Sequence, residues 1–433
     1  MSNYLDWQNK ILSDRKIVPL FYIADFSISP VDKIIKEEEE KVSLCNYTDV
    51  YKNKYITSDL EFMEGSASEN EINRFQIQDG DILITKDSES WDDIGIPAMV
   101  VGNFENTTLC GYHLALMRPK KNLVNPKFVF YCFESKTHRT QLEIEATGVT
   151  RFGIPKDAIG KYKIPLPSLE QQNKIVDYLD REIAKIDALI EKKTKLIALL
   201  EEKKKAVINQ VVTKGLDTTV AMKDSGIEWL GEIPEHWEVN KISRVFDSIG
   251  SGTTPTSSNL EYYQDGNHSW LITSDLNDSY IFETSKKITD AAVYDFSALK
   301  LFPSNSLVIA MYGATIGKTG LTKIECYTNQ ACCVISNSTK VHIRYAHFYF
   351  IAMKQNLVNL SNGGGQPNIS QGIIRDFKIV YPNLIEQEKI INFLENKIEE
   401  TDLTIQKIIK TINLLKEKRT AIISAAINGE IEL

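Results

Sequence analysis

Few side chains in this 433-residue chain are spaced for covalent chemistry. Gly313-Ala-Thr-Ile-Gly317-Lys318-Thr319 has the look of a phosphate-binding loop, yet only three residues separate its glycines where four are required. The next residues, Gly320-Leu-Thr-Lys-Ile324, read as a strand rather than a helix. Six cysteines, at 45, 110, 132, 326, 332 and 333, form no Cys-x-x-Cys, and no histidine pair stands at zinc-ligand spacing from them. They read as buried, reduced thiols. There is no Asn/Asp-Pro-Pro-Tyr/Phe signature of an amino-methyltransferase, no His-Glu-x-x-His and no Gly-x-Ser-x-Gly. What remains is a set of hydroxyl, amide and basic side chains in glycine-bearing loops, whose chemistry is hydrogen bonding rather than bond making.

The elements that carry those loops form an internal repeat. Pro167-Ser-Leu-Glu-Gln-Gln-Asn-Lys-Ile175 and Pro382-Asn-Leu-Ile-Glu-Gln-Glu-Lys-Ile390 match at an offset of 215, with Gln172 on Gln387 and Lys174 on Lys389. The same offset pairs Leu179 with Leu394, Ile183 with Ile398, Asp187 with Asp402 and Leu200 with Leu415. From about 170 to 213 there is no Pro or Gly, and apolar residues recur every 3.5 positions, the pattern of a coiled coil. Each helix of ~42 residues would run ~63 Å at 1.5 Å per residue. Lys204 and Arg419 occupy the same seam position in the two copies. They read either as cations snorkelling out of the seam near a helix end or as polar residues that fix register. Upstream, the loop Gly148–Ile154 aligns with Gly363–Ile369, and one short strand then leads into each helix.

The preceding stretches diverge. Short β-like runs such as Asp81–Thr85, Ala98–Val101, His113–Met117, Ser306–Ala310 and Ala331–Ile335 alternate with turn signals and with short helical runs at Pro126–Phe133 and Tyr345–Ile351. The fold class is therefore α+β: two globular domains separated by two long helices forming an antiparallel coiled coil, in a pseudo-two-fold repeat. The segments are 1–162, 163–215 (central helix), 216–377 and 378–433 (C-terminal helix). Glu37–Glu40, between lysines, reads as a solvated helix face.

Net charge is −8, which argues mildly against a nonspecific nucleic-acid binder, but the balance is uneven: −6 over 1–162 and +3 over 163–215. No apolar run approaches the ~20 residues that span a bilayer, and the N-terminus lacks a signal-peptide layout, so no membrane is expected and the cytoplasm is the expected location.

Asp224-Ser-Gly-Ile-Glu-Trp-Leu-Gly-Glu-Ile-Pro-Glu-His-Trp-Glu238, Gly250–Pro255, Gly80–Ile84, Gly111–His113, Asn329-Gln330 and the duplicated Pro-x-Leu-x-x-Gln-x-x-Ile helix starts together resemble specificity subunits of type I restriction-modification systems. The resemblance covers essentially the whole chain, as recognition domain, helix, recognition domain, helix. It departs in one place: the first domain, opening over Trp7–Asp32, lacks a clear Trp-Leu-Gly-Glu-Ile-Pro stretch.

The resemblance implies a non-catalytic DNA-recognition subunit. Each domain would read half of an asymmetric, bipartite double-stranded target, and the helices would fix the spacing. Two methyltransferase subunits would dock on the helices and carry S-adenosylmethionine, leaving no cofactor or metal on this chain. Motor-nuclease restriction subunits would join when the complex cuts. The candidate DNA contacts are then Lys86, Ser88, Tyr112, His113, Thr150 and Arg151 in the first domain. In the second they are Ser251, Thr253, Thr254, Tyr312, Thr315, Lys318, Asn329, Gln330, Gln366 and Asn368. Arginine can bond a guanine edge bidentately, and Asn or Gln an adenine edge. The plainer alternatives are that these loops are simply turns and that His113 is a hydrogen-bonded core histidine. An enzyme with an unrecognised site and a scaffold that binds only proteins are the competing functional classes.

Overall fold

The computed structural model describes residues 15–361 and 368–433. Two compact units emerge. One gathers the chain up to 194 together with 409–433, and the other is 195–408. Each therefore holds one head, the start of one long helix and the end of the other.

In the first head a five-stranded sheet runs in the order Ala24–Ile28, Leu114–Pro119, Ile82–Thr85, Pro97–Val100, Tyr55–Ile56. The first four strands are antiparallel, and the last runs parallel to its neighbour. Ile82, Leu83 and Ile84 are all fully buried because the sheet is covered on both faces. Ile82 and Ile84, with Ala115 and Met117, pack against Phe128–Phe133 and the start of the long helix. Leu83, Leu114 and Leu116 face a second core with Leu44 and Leu109 of a three-stranded sheet. Alternate side chains thus serve opposite cores, as the two-residue period of a strand dictates.

The second head repeats the plan. Its sheet runs Ser248–Gly250, Cys332–Ser336, Leu307–Ala310, Thr319–Thr322, Ser279–Ile281, again with one parallel edge strand. Leu307 and Ile309 face the helical core, while Val308 and Ala310 face the outer one. All six cysteines are buried and unpaired, and burial pushes the Cys326 and Cys333 thiols up to about 12.

The opening of the first repeat, blurred in the sequence, is clear in the structure. Lys16–Pro19 pairs antiparallel with Lys163–Leu166, as Glu238–Lys241 does with Lys378–Tyr381. The backbone N–H of Leu20 donates to Tyr162 and that of Ile242 to Phe377, the same bond in each copy. Trp7 lies outside the described residues. The expectation for Glu37–Glu40 is corrected: Glu37 and Glu38 form a turn, and Glu40 begins the strand Glu40–Cys45. Glu39 is paired with Lys36 at 2.8 Å and accepts from the hydroxyl of Ser66, on the strand Met63–Ala67, at 2.7 Å.

The long helices are Leu169–Lys214 and Leu384–Asn428. In the first unit Leu179 and Ile183 share a core with Ile423, Ala426 and Ile427. In the second, Ile208, Val211 and Val212 share one with Ile390 and Leu394. The start of one helix meets the end of the other in each unit, so the pairing is antiparallel. Both seam cations are paired across it. Lys204 Nζ is 2.7 Å from Asp402, and Arg419 Nε is 3.3 Å from Asp187, its repeat counterpart. Reciprocal pairs of this kind suit a register mark better than snorkelling.

The duplicated glutamine has a structural role that its sequence context did not reveal. Gln172, fully buried, accepts from the Asn125 N–H at 2.8 Å and donates to the Pro167 carbonyl at 3.0 Å. Gln387 accepts from the His342 N–H at 2.8 Å and donates to the Pro382 and Lys340 carbonyls. Asn125 and His342 are the N-caps of the head helices Pro126–Glu134 and Ile343–Ala352. One amide thus satisfies an orphan N–H at a helix start and ties that head helix to the long one.

Candidate nucleic-acid interface

A second tie fixes each head on its helix. Lys127 pairs with Asp180 at 2.7 Å beneath Tyr55, and Arg344 pairs with Glu395 at 2.9 Å, its guanidinium 4.3 Å from the Tyr280 ring centre. Tyr55 and Tyr280 both come from the parallel edge strand. Each head is thereby joined to its own long helix, and the candidate residues sit on the loops at one end of its sheet.

In the first head, ladder geometry gathers those loops. Lys86 donates its N–H to His113 O at 2.9 Å, and Ile154 donates to Lys86 O at 3.0 Å. Phe152–Gly153 pairs with Asp87–Ser88. Lys86, Tyr112, His113 and Arg151 therefore converge around Asp87. His113 Nδ1 is 2.8 Å from Asp87 Oδ2, and Arg151 Nη2 is 3.0 Å from His113 Nε2. Lys86 Nζ donates to both Asp87 oxygens, at 3.0 Å to Oδ1 and 3.2 Å to Oδ2. His113 holds φ at +70°, a backbone conformation uncommon outside glycine. The Tyr112 ring, half exposed, lies 3.9 Å from the imidazole, centre to centre.

Beside this cluster lies a hollow of about 590 Å³ whose rim includes Tyr47, Tyr51, Asp93 and Arg151. Asp93 pushes the Tyr51 phenol up. Thr150 is exposed, next to Arg151. Ser88 is not presented to solvent: it is buried, and its oxygen accepts from the Tyr47 hydroxyl and the Ser90 N–H. Asp87 was missed in the sequence because a lone acid in a polar loop carries no spacing signal.

The second head shows the same ladder with other side chains. Met311 donates to Ala331 O at 2.8 Å, Ile369 donates to Met311 O at 2.7 Å, and Tyr312 bridges Asn368. Gly252 lets a second loop come close: a Cβ there would lie 1.8 Å from the Thr328 carbonyl oxygen. The Thr254 hydroxyl donates to Gln330 Oε1 at 2.5 Å, and Trp270 Nε1 donates to Thr253 O. Asn329 uses its side-chain oxygen on the Ala331 N–H, closing a local turn. Thr315 and Lys318 stand in the turn after Tyr312, half-buried, and the chain continues into a strand, as expected from the sequence. Ser251 is half-buried, Gln330 and Asn368 are exposed, and burial raises the Tyr312 phenol. Gln366 lies outside the described residues. Among the described residues, no group of three or more His, Cys, Asp or Glu side chains is placed to hold a metal ion, and no helix is long and apolar enough to cross a membrane.

The sequence profile of the type I restriction modification DNA specificity domain matches residues 26–199 and 234–414, one match per repeat. The chain belongs to this family. Within it, the putative type I restriction enzyme MjaX specificity subunit of Methanocaldococcus jannaschii is 25% identical over 83% of this chain and 81% of its own length. The MjaIX specificity subunit of the same organism is 30% identical over 40% of this chain and 42% of its own length. In fold, the chain is similar to the HsdS subunit of Thermoanaerobacter tengcongensis, with a TM-score of 0.55 at 17% identity over 97% of this chain and 98% of that one. A chain from work on complex assembly and conformational transition of the type I R-M system gives 0.67, also at 17% identity, over 97% and 99%. As a member of the specificity family, the chain is a DNA-recognition subunit of a type I restriction-modification system.

Proposed function

We propose that each head reads one half of an asymmetric, bipartite double-stranded DNA target while the long helices dock two methyltransferase subunits. The observation that carries this reading is the contrast within the repeat. The ladder, the buried glutamine and the head-to-helix ion pair recur, while the side chains at the sheet ends differ. Paired phosphate and base contacts need varied donors and acceptors on a fixed frame. Docking of two identical partners needs the same surface twice. Leu199 and its repeat counterpart Leu414 are both more than half exposed on the long helices, an apolar position of the kind a docked partner covers.

In this reading the chain is not itself the catalyst. S-adenosylmethionine resides on the methyltransferase subunits, which modify adenine, and motor-nuclease subunits join for cleavage. Gly313–Thr319 does not fit a nucleotide, because it leads into the strand Thr319–Thr322 and not into a helix whose N-terminus could hold a phosphate. The test is genome-wide sequencing of modified bases in cells carrying this chain with its methyltransferase partner. One split adenine motif is expected, and exchange of residues 1–147 for those of a relative should change one half of it. Methylation that persists without the chain, or a change in both halves, would overturn the reading.

A further inference from the structure

The first head contains an Asp87–His113–Arg151 relay that has no counterpart among the described residues of the second. Arginine only donates hydrogen bonds, so the 3.0 Å contact makes His113 Nε2 the acceptor. The imidazole proton is then on Nδ1, donated to Asp87 across 2.8 Å. Lys86 Nζ donates to both oxygens of Asp87 and so holds the carboxylate in place. Glu89 and Asp93 are the remaining charged groups around the adjoining hollow. Arg151 itself is exposed, on a loop closed by paired Thr147 and Gly153 backbone bonds.

An exposed guanidinium on such a loop samples many rotamers unless something holds it. We propose that His113 is a positioning residue: it fixes Arg151 in one orientation, with its remaining donors directed outward to read a base edge of the first half-site. This deepens the proposed function and rests on it. Immobilising a rotamer-rich side chain before binding preserves about two- to tenfold in affinity, and a bidentate contact between arginine and guanine discriminates by about tenfold or more. In the second head Tyr312 and Ala331 stand where Asp87 and His113 stand in the first, so neither a carboxylate nor an imidazole occupies those positions.

Two substitutions separate positioning from mere structure. Asn at 113 tolerates positive φ, and its amide nitrogen takes the place of Nδ1, but nothing reaches Arg151. Gln strains the turn, yet its side-chain oxygen takes the place of Nε2. The full-length chain, in complex with its methyltransferase, is titrated by fluorescence anisotropy against a duplex carrying its motif and against duplexes altered in either half.

Arg151→Ala and His113→Asn are expected to lose discrimination at the first half-site by about tenfold, with the second half unaffected. His113→Gln should stay within about twofold of the unaltered chain. The reverse order of Asn and Gln would show that His113 only shapes the turn. Equal weakening on every duplex would mean that Arg151 meets phosphate, and would also overturn the proposal. Full discrimination in Arg151→Ala overturns it at its root. Failure of the underlying reading is distinct: exchange of residues 1–147 would then leave the motif unchanged.

Discussion

At the sheet end of the first head, a carboxylate, an imidazole and a guanidinium are joined in sequence. At the equivalent ladder positions of the second stand a phenol and a methyl group, Tyr312 and Ala331, with Asn368 bridged to the tyrosine. Beneath these tips the two heads share the buried glutamine, the ion pair below the edge-strand tyrosine and the strand that opens each repeat. The chain varies where its side chains meet solvent and is constant where they meet the buried backbone. A side chain that must satisfy buried backbone groups has one chemical solution, and Gln172 and Gln387 both adopt it. A side chain at a solvent-facing loop owes nothing to the core and is free to diverge.

The largest loss is expected at two glycines. Gly252→Ala would drive a methyl group into the Thr328 carbonyl, and Gly148→Ala into that of Arg151, 1.9 Å away and at φ +142°. Each should cost about 3 kcal/mol locally and abolish reading of its own half-site only. Modified-base sequencing checks this, and loss of both halves from one substitution would end the notion of independent heads.

Next in size are the glutamines. Gln387→Ala orphans one N–H and two carbonyls and should cost about 3 kcal/mol, whereas Gln172→Ala orphans one of each and should cost about 2 kcal/mol. Thermal unfolding of the full chain reads the difference. Equal losses would mean that the extra bond to Lys340 contributes nothing.

A pH experiment treats the heads alike. Burial holds His138 of the first head at about 3, and burial together with Arg344 does the same for His347 of the second. Both are neutral when folded, and the unfolded chain protonates them below about 6.5. Stability is therefore complete above that value and falls as pH drops toward 3. By pH 5 the loss is about 2 kcal/mol per histidine. Replacing either by Phe should flatten that part of the profile in its own head.

The smallest effect is expected at the ion pairs. Double-mutant cycles on Lys127 with Asp180, and on Arg344 with Glu395, should each give a coupling of about 1 kcal/mol. A coupling in only one head would show that the shared frame is less equal than its geometry.

Much of this was legible beforehand. The long helices declared themselves through a 3.5-residue period, and the central strands through β-branched runs that are buried on both faces. Lys16–Pro19 was not legible, because four half-exposed residues carry no periodicity and their partner lies nearly 150 positions away. The role of Gln172 was hidden for the same reason: its bonding partner, Asn125, is distant in sequence. Glu37–Glu40 misled because a charge run marks solvent exposure without marking helix. At the candidate interface, His113 and Arg151 were singled out by type. Asp87, which joins them through the imidazole, became visible only when two loops were brought together.

The two compact units also differ in how the ribosome would deliver them. The second is one uninterrupted stretch, 195–408, and all its parts exist once residue 408 has been made. The first has its head made at the outset, but Ile423, Ala426 and Ile427 of its core come last. Until they emerge, the stripe at Leu179 and Ile183 packs on its own head but lacks the part of its core that the other helix supplies. The head that precedes the other in the chain is therefore completed after it, and Ile423, Ala426 and Ile427 act as its lock.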